Sequence, residues 1–376
     1  MRGVSSLPIA AAFSTLNWLL VPVLAAHAAN SSTTRTYFVA AVEEDWDYMP
    51  TGMDITNGYP IAQSPQAAAV AAPNGQRIGH VYTKAMFREY TDDSFTTQSD
   101  RPQWLGMLGP VLRAEVGDTM MVTFKNMASH NHSMHPHGVR YSKANEGAAG
   151  PEQDFGGNNV PPVGTWTYTW EVPARAGPGP LDPSSLAWTY HSDVSGAQDV
   201  YSGLVGALIV YRPGELAKHT LFVPAPTGSN LTEEVLTQFL IVDENLSFYI
   251  DGNTLNRTNI PVGELEVNRR DPGFIESNIK HGINGRLFGN LQGLNLTVGR
   301  DARWHVQSLG NVVNVHTPHW HGNTLMWANQ RLDVINVLPA QTRSMTMTVD
   351  NPGMWIHHCQ VVNHRAMGMI TQYTAQ

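Results

Sequence analysis

One order of sequence blocks occurs twice along the chain, and this repeat limits the fold more than any other feature. In the first half, VLRAEVGDTMMVTFKN leads to HSMHPHG and later to WTYHSDVSG. In the second half, GLNLTVGRDARWHVQSLG leads to HTPHWHG and later to MWIHHCQVV. Two copies of one domain explain this order. We predict a first domain at residues 29–213, a polar linker rich in proline and glycine at residues 214–233, and a second domain at residues 234–376.

Both copies consist of short segments with the composition of β-strands. Val, Thr, Tyr and Trp are frequent in them, and several alternate apolar with polar residues. The segments are RTYFVAAVEEDWDY (35–48), VLRAEVGDTMMVTFKN (111–126), TWTYTWEVP (165–173), GLVGALIVY (203–211) and EVLTQFLIVDENLSFYI (234–250). No long amphipathic helical pattern interrupts them. The predicted fold class is therefore all-β, with β-sandwiches or Greek-key barrels.

The N-terminal residues predict an exported protein. Residues 1–28 combine Arg2 with a short apolar run and end with small residues at Ala26 and Ala28, which is the pattern of a cleaved secretory signal. No apolar segment has the length of a membrane span. Motifs for asparagine-linked glycosylation fit a secreted glycoprotein and begin at Asn30, Asn131, Asn230, Asn245, Asn256 and Asn295.

The charge and the cysteine content exclude some classes of partner and one source of stability. The formal net charge is −8 and only 14% of the residues are charged, with no cluster of Lys and Arg. This composition argues against a nucleic-acid partner or an anionic membrane surface. The chain has a single cysteine and hence no intrachain disulfide bond. A large core or an assembly must supply the stability instead.

Histidines recur at fixed spacings in both copies. Two histidines separated by one residue point to the same face of a strand, so each His-x-His pair directs two imidazoles to one place. The recurring histidines are His135, His137, His191, His316, His319, His321, His358 and His364. Scattered surface residues do not explain this spacing, and we predict metal binding.

The only cysteine indicates which metal. Cys359 is followed by His364 and Met369 at intervals of five residues, and His316 precedes them in the adjoining block. Two imidazoles, a thiolate and a weak axial thioether form a blue copper site that transfers single electrons. A structural cysteine in a methionine-rich core is the alternative, but it explains neither the even spacing nor the His-x-x-His-x-His block.

These motifs resemble the multicopper oxidases, and within them the ceruloplasmin and hephaestin type. The resemblance covers nearly all of the chain after the signal. It rests on the blocks TYFVAAVEEDWDY, LGMLGPVLRAEVGDTMMVTFKN, HPHGVRYSKANEG, YHSDVSGAQDVYSGLVGALIVY, FIESNIKHGINGRLFGNLQGL, HTPHWHG and HCQVVNHRAMGM. It implies two cupredoxin-like Greek-key β-sandwich domains, a type 1 copper in the second domain, and a copper cluster at a domain interface where dioxygen is reduced.

The resemblance assigns the ligands residue by residue. The type 1 ligands are His316, Cys359, His364 and Met369, the type 2 pair is His135 and His319, and one type 3 copper takes His137, His191 and His358. His321 matches a ligand of the second type 3 copper. The two other histidines expected at that copper are replaced by Asp193 and Gln360. Because an amide oxygen is a poor copper ligand, we predict that this site is altered or empty, with one to three coppers in the cluster.

The electron donor is less constrained by the sequence. In ceruloplasmin-like ferroxidases the resemblance implies an Fe(II) site beside the type 1 copper, here matched by Glu276, His281 and Asp333. The alternative is that these residues pair with Arg270, Arg286 or Arg331.

The sequence thus predicts a secreted ferroxidase or laccase-like oxidase that passes electrons from Fe(II) or a phenol to dioxygen. Family members with two domains form trimers in which neighbouring chains complete the cluster, and we expect a homotrimer. One alternative is a blue-copper reductase resembling nitrite reductases, with Asp193 as proton donor. Another is a non-catalytic copper-binding protein. His132 is expected on a surface loop, and Ser192 stands opposite Cys359 in the repeat, so no second blue copper is predicted.

Overall fold

The computed structural model describes residues 33–148, 150 and 156–376. The predicted signal at residues 1–28 and the glycosylation motif at Asn30 lie outside the described residues. In the part of the chain that the structure describes, no helix is long and apolar enough to cross a membrane.

The first half contains ten strands and two short helices among its described residues. They are β1 Thr34–Asp47, β2 Met53–Asp54, β3 Tyr59–Pro60, α1 Ala67–Ala71, β4 Val81–Tyr90, β5 Val111–Glu115, β6 Thr119–Asn126, β7 His135–Pro136, β8 Thr165–Glu171, β9 Ser185–His191, α2 Ala197–Ser202 and β10 Val205–Tyr211. Two four-stranded sheets result, in the orders β4-β1-β6-β8 and β5-β10-β9-β7. Strands β1 and β6 pair in parallel, as do β5 and β10, so strands that are distant in sequence become neighbours.

The second half is built in the same way. Its elements are β11 His219–Thr220, β12 Thr232–Asp243, α3 Ile250–Arg257, α4 Leu265–Asn268, α5 Pro272–Ser277, β13 Ile279–Ile283, β14 Asn295–Leu296, β15 Asp301–Ser308, β16 Pro318–Trp320, β17 Leu325–Trp327, β18 Gln330–Leu332, β19 Thr342–Thr348, β20 Gly353–Cys359, α6 Val362–Ala366 and β21 Ile370–Ala375. One sheet has the order β11-β12-β15-β19-β17-β18, with β13 on β12, and the other has the order β14-β21-β20-β16. Each sheet draws its strands from one half of the chain.

Burial explains why these segments form strands. In β8, Tyr168 and Trp170 are fully buried and alternate with exposed residues, so one face of this edge strand meets the core. Strand β10 is buried along its whole length because it lies between two other strands and is covered on both faces. The predicted all-β class is confirmed, and the helices are short.

Two of the predicted strand segments differ in detail. The run at residues 111–126 forms two strands in different sheets, because Gly117 adopts a φ of +100° between β5 and β6 and turns the chain. The run at residues 234–250 is extended only as far as Asp243. There the Asp243 carboxylate accepts a hydrogen bond from the Asn245 amide, which begins a turn that leads into α3.

A buried ionic network joins the two halves at Glu234, on β12. The Glu234 carboxylate is fully buried and accepts hydrogen bonds from the Ser185 hydroxyl (2.7 Å), from His305 Nε2 (2.9 Å) and from the Tyr211 hydroxyl. The Arg113 guanidinium lies 3.9 Å away. Burial by itself raises the pKa of Glu234, but the His305 hydrogen bond and the surrounding positive charge lower it to about 2.

We expect acid to destabilise this junction. Burial lowers the pKa of His219, whose Nδ1 lies 3.7 Å from the Glu234 carboxylate, to about 4 although Glu234 opposes the shift. The unfolded chain has a His pKa of about 6.5, so the stabilisation is complete above that pH and is lost as the pH falls towards 4. Because the pKa of Glu234 is lowered in the folded protein, folding stability falls further below about pH 4.5. The His219 contribution amounts to at most about 3 kcal/mol.

Urea unfolding at a series of pH values measures this effect. His219→Gln should flatten the dependence of the unfolding free energy on pH between about 6.5 and 4. Equal slopes for the His219 variant and the wild type would contradict the assignment.

Candidate metal centre

Strands β16 and β20 bring the candidate ligands of the second half together. The pair is antiparallel, with Pro318 opposite Cys359 and His319 opposite His358. Successive residues of a strand point to opposite faces. Cys359 and His358 therefore serve two different clusters, one on each side of β20.

The first cluster is a triangle of His316, Cys359 and His364. The Nδ1 atoms of the two histidines are 3.2 Å apart, and Cys359 Sγ lies 3.9 Å from His316 Nδ1 and 3.7 Å from His364 Nδ1. A point equidistant from the three atoms is about 2.1 Å from each, which is close to the metal–nitrogen and metal–sulfur distances in proteins. His316 and Cys359 are fully buried, and His364 is 9% exposed. These residues therefore fit a trigonal metal site.

Backbone hydrogen bonds fix the fourth predicted ligand beside this triangle. The Met369 amide donates to the His364 carbonyl (2.9 Å), and the Cys359 amide donates to the Met369 carbonyl (3.1 Å). Met369 is fully buried. The structure thus brings all four predicted type 1 residues to one place.

Neighbouring polar groups prepare the ligand atoms for a metal. His316 Nε2 lies 3.1 Å from the Asn314 side-chain oxygen, so an Nε2 proton donated to that oxygen leaves Nδ1 free to bind. Burial, together with the nearby His364, lowers the pKa of His316 to about 3, so the imidazole stays neutral. Burial raises the pKa of the Cys359 thiol, although the Thr317 amide at 3.4 Å opposes this shift. A bound metal would displace the thiol proton.

A second cluster consists of His319, His321 and His358. His358 Nε2 lies 3.3 Å from His319 Nδ1 and 3.1 Å from His321 Nε2. The Nδ1 atom of His358 faces the Cys359 carbonyl at 2.8 Å, which leaves Nε2 for a metal. This C-terminal triad offers three nitrogen ligands within 4.8 Å of one another. Cys359 and His358 are consecutive residues, so one peptide bond links the triangle to the triad.

The Gln360 side chain closes one side of the C-terminal triad. Its amide nitrogen lies 2.8 Å from His319 Nδ1, so it donates to the atom that faces His358. On the other side of the ring, the Asp333 carboxylate lies 3.5 Å from His319 Nε2. The residue that replaces an expected histidine thus hydrogen-bonds to a predicted ligand.

The first half forms an N-terminal triad of His135, His137 and His191. His135 lies opposite His191 in the pairing of β7 with β9, and the Nε2 atoms of His137 and His191 are 3.3 Å apart. The His135 ring lies 5.4 and 5.5 Å from the rings of His137 and His191. Burial lowers the pKa of His137 to about 4, with the neighbouring histidines adding to the effect. Asp193 follows two residues after His191, and its amide donates to the Ser133 hydroxyl.

The two triads are separate within the described part of one chain. Each histidine ring of a triad contacts rings of its own triad, and no ring contact joins the two groups among the described residues. The ligand group that the second half assembles likewise contains no residue of the first half.

The predicted donor residues do not come within mutual ligand distance of one another among the described residues. Glu276 is exposed on α5, and Asp333 lies beside His319. His281 is buried on β13, where its ring lies 5.4 Å from the ring of His364. The alternative, in which the predicted donor residues form ion pairs with three arginines, is not found either. Each of these arginines has another neighbour. Arg270 contacts Glu266, Arg286 covers the Trp46 ring and Arg331 donates to Thr324.

Two further histidines lie deeper in the molecule than their sequence indicated. The expectation that His132 occupies a surface loop is wrong, because its side chain is fully buried and its Nδ1 lies 2.9 Å from the Asp199 carboxylate. His357, which sequence reasoning left without a role, is also fully buried. Its Nδ1 lies 3.0 Å from the carbonyl of His319, a triad ligand on β16, and so ties β20 to β16.

Comparison with known proteins identifies the family of this chain. Two family models described as multicopper oxidase match residues 105–215 and 261–376, which together make up more than half of the chain. The chain belongs to the multicopper oxidase family. Both matched regions contain a triad, and the second also contains the triangle.

Several curated members of the family are similar in sequence. A mouse protein named ferroxidase HEPHL1 is 38% identical over 91% of this chain and 29% of its own length. Human hephaestin is 36% identical over 90% of this chain and 29% of its own length. Human ceruloplasmin is 36% identical over 90% of this chain and 30% of its own length. The chain therefore spans less than a third of the length of these relatives.

Solved structures of the family share the fold. A blue copper oxidase from Nitrosomonas europaea has a TM-score of 0.56 at 16% identity, covering 91% of this chain and 86% of its own. The multicopper oxidase mgLAC has a TM-score of 0.57 at 17% identity, and the match covers 92% of this chain and 87% of the mgLAC chain. The predicted cupredoxin-like fold is confirmed.

Proposed function

We propose that the protein is a secreted, copper-dependent oxidoreductase that takes single electrons from Fe(II) or a phenolic donor and delivers them to dioxygen. The observation that carries this proposal is the triangle of His316, Cys359 and His364, joined through His358 to the C-terminal triad. The names of the relatives, among them a ferroxidase, support it. The domain boundaries, the signal at residues 1–28 and glycosylation belong to the same proposal.

Copper, when bound, supplies reversible one-electron chemistry at the triangle and oxygen chemistry at the cluster. The protein's own part is to hold the ligands rigidly and to keep water out. Full burial of Cys359 and His316 excludes solvent from the triangle. The hydrogen bond to Asn314 fixes the His316 ring. The direct peptide link from Cys359 to His358 gives the shortest covalent connection between the two clusters.

We further propose that the cluster differs from the usual one. His135 and His319 are the type 2 pair, and His137, His191 and His358 hold one type 3 copper. The second type 3 site retains His321 but has Asp193 and Gln360 in place of two histidines. The Gln360 amide also donates to His319, so it competes with a metal for that nitrogen at the neighbouring type 2 position. An altered or empty site follows from these ligands.

Separation of the triads supports the proposal of a homotrimer. Each chain offers an N-terminal triad and a C-terminal triad that do not contact each other among the described residues. A ring of three chains would bring the N-terminal triad of one chain to the C-terminal triad of the next, and closed cyclic symmetry would leave no triad unpaired.

The donor site is proposed from the resemblance. His281 is the predicted donor residue placed best for electron transfer, because its ring packs against His364. Its Nδ1 atom is buried and has no hydrogen-bond partner among the described residues, so it is available to a ligand. Glu276 and Asp333 would have to be brought to it by an incoming metal or by a neighbouring chain.

Copper counting tests the cluster. We expect about two or three coppers per chain and no near-ultraviolet band from a bridged copper pair. The double variant Asp193→His with Gln360→His should bind roughly one more copper per chain and gain that band, because imidazole replaces the two weaker ligands. Metal analysis combined with electron paramagnetic resonance measures both quantities.

The matched control places the same two substitutions at exposed residues away from the triads, as Asp92→His with Gln76→His. It should keep the wild-type copper count. A complete cluster with a bridged pair in the wild type would overturn the altered site. A wild type with no blue copper would overturn the oxidoreductase itself, and a monomer that retains full oxygen consumption would refute the trimer.

A further inference from the structure

A cavity of about 370 Å³ lies against the outer side of α6, the helix that carries His364. Its walls include residues of α6, Thr56, Asn57 and Gln66 of the first half, and Phe288. The volume suits a small organic molecule, for which pockets of roughly 300–1,000 Å³ are usual. None of the residues assigned above as metal ligands lines it.

The cavity nevertheless adjoins the triangle through the backbone. Gln360, Arg365 and Ile370 line it, and each directly follows one of the predicted type 1 ligands in the sequence. Consecutive Cα atoms are about 3.8 Å apart, so these three residues of the cavity wall are the immediate chain neighbours of the predicted ligands. A molecule in this cavity is therefore within electron-transfer reach of the triangle.

The cavity has an apolar floor. Phe288 and Ile370 line it and are almost completely buried. Val362 also lines the cavity and is 78% exposed. A flat apolar ligand would cover Val362 and stack against Phe288, removing apolar surface from water.

Polar residues also line the cavity. Among the described residues that line the cavity, Arg365 is the only charged one and none is acidic. Gln360 and Asn57 add amide groups. Asn57 is held in place by the buried Asp54 carboxylate, which accepts from its side chain (2.8 Å) and from its backbone amide (3.0 Å). The wall is thus set before a ligand arrives, which lowers the entropic cost of binding.

We propose that this cavity binds an aromatic carboxylate, with its ring on the apolar floor and its carboxylate on Arg365. Guanidinium and carboxylate groups form paired hydrogen bonds, and a single cation with no competing acid selects a single anion. Fe(II) is a poor occupant, because the lining offers no carboxylate, imidazole or thiolate. As an extension that rests on the proposed function, a hydroxylated aromatic acid bound here is the organic electron donor.

Binding of 4-hydroxybenzoate and of its methyl ester tests the proposal by calorimetry. The acid should bind about tenfold or more tightly than the ester, since only the acid carries the charge that Arg365 recognises. Arg365→Gln should weaken binding of the acid by a similar factor and leave the ester unchanged. Arg365→Lys should restore part of the difference, because it keeps the charge but loses the paired geometry.

Two further variants test whether binding depends on Arg365 itself, and not on the overall charge of the protein, and whether it takes place in this cavity. Arg331→Gln removes an exposed arginine outside the cavity and should change nothing. Ala366→Trp fills the cavity from α6 and should abolish binding of both compounds. Equal binding of acid and ester, no binding to the wild type, or an equal loss in the Arg331 variant would each overturn the proposal.

Failure of the cavity assignment can be distinguished from failure of the proposed oxidoreductase function. Binding is measured on metal-free and on copper-loaded protein, so it does not require a working copper site. If the blue colour is present and ascorbate bleaches it while the acid has no advantage over the ester, the cavity assignment fails and the oxidoreductase stands. If no blue colour forms but the acid binds through Arg365, the oxidoreductase fails and the cavity assignment stands.

Discussion

Replacing Cys359 by serine is expected to remove the blue colour and to reduce oxygen consumption by more than about 100-fold. Loss of one residue that only supports a metal ligand already costs 10–100-fold in affinity or activity, and this change removes the ligand itself. The thiolate is the ligand that selects copper at the triangle, and a serine hydroxyl does not replace it. Absorption spectra and copper analysis measure the loss, which should be about one copper per chain.

The metal-free forms provide the control for folding. Cys359 is fully buried and its side chain is small, so the metal-free serine variant should unfold close to the metal-free wild type. Copper bound to the native state stabilises it by mass action, and this added stability should be smaller in the variant. A serine variant that stays blue, or that keeps its activity, would show that electrons enter the protein elsewhere.

Lys84→Met is expected to lower the free energy of unfolding by about 3–5 kcal/mol, because it leaves a buried carboxylate without its cation. Lys84 Nζ lies 2.6 Å from Glu244 Oε1, and both side chains are completely buried. Lys84 belongs to β4 in the first half, whereas Glu244 follows β12 in the second. The Tyr48 hydroxyl also donates to Glu244 Oε1 (2.5 Å). Urea unfolding monitored by circular dichroism measures the change.

A double variant separates the unpaired charge from the change in packing. Lys84→Met combined with Glu244→Leu removes both charges and should recover most of the lost stability. Lys218→Met provides a surface comparison, because Lys218 is 63% exposed and pairs with Glu215. That change should cost less than about 1 kcal/mol. A Lys84 variant as stable as the surface variant would disprove the importance of the pair.

Sequence spacing located the predicted type 1 site because three of its four residues lie in one short segment. Cys359, His364 and Met369 enclose a loop and the single turn of α6, so local geometry determines where they meet. Only His316 comes from elsewhere, and it lies in the repeated block before β16. The fold class was equally accessible, because alternating burial in strands such as β8 is visible in the sequence.

The position of Asp333 could not be predicted from sequence spacing. It lies beside His319 because the chain after β18 returns to β16, where the Trp320 amide donates to the Asp333 carbonyl. That contact depends on the register of a non-local pairing, which no spacing in the sequence specifies. His132 was misjudged for a similar reason, since its partner Asp199 is 67 residues away and no motif links the two.

The buried Cys359 also has a consequence for how the protein can be made. Since the fold includes no covalent crosslink, a reducing environment removes nothing that holds it together. The thiol is shielded from oxidants until the metal reaches it. Folding therefore needs no oxidising step and can be complete before the metal is inserted.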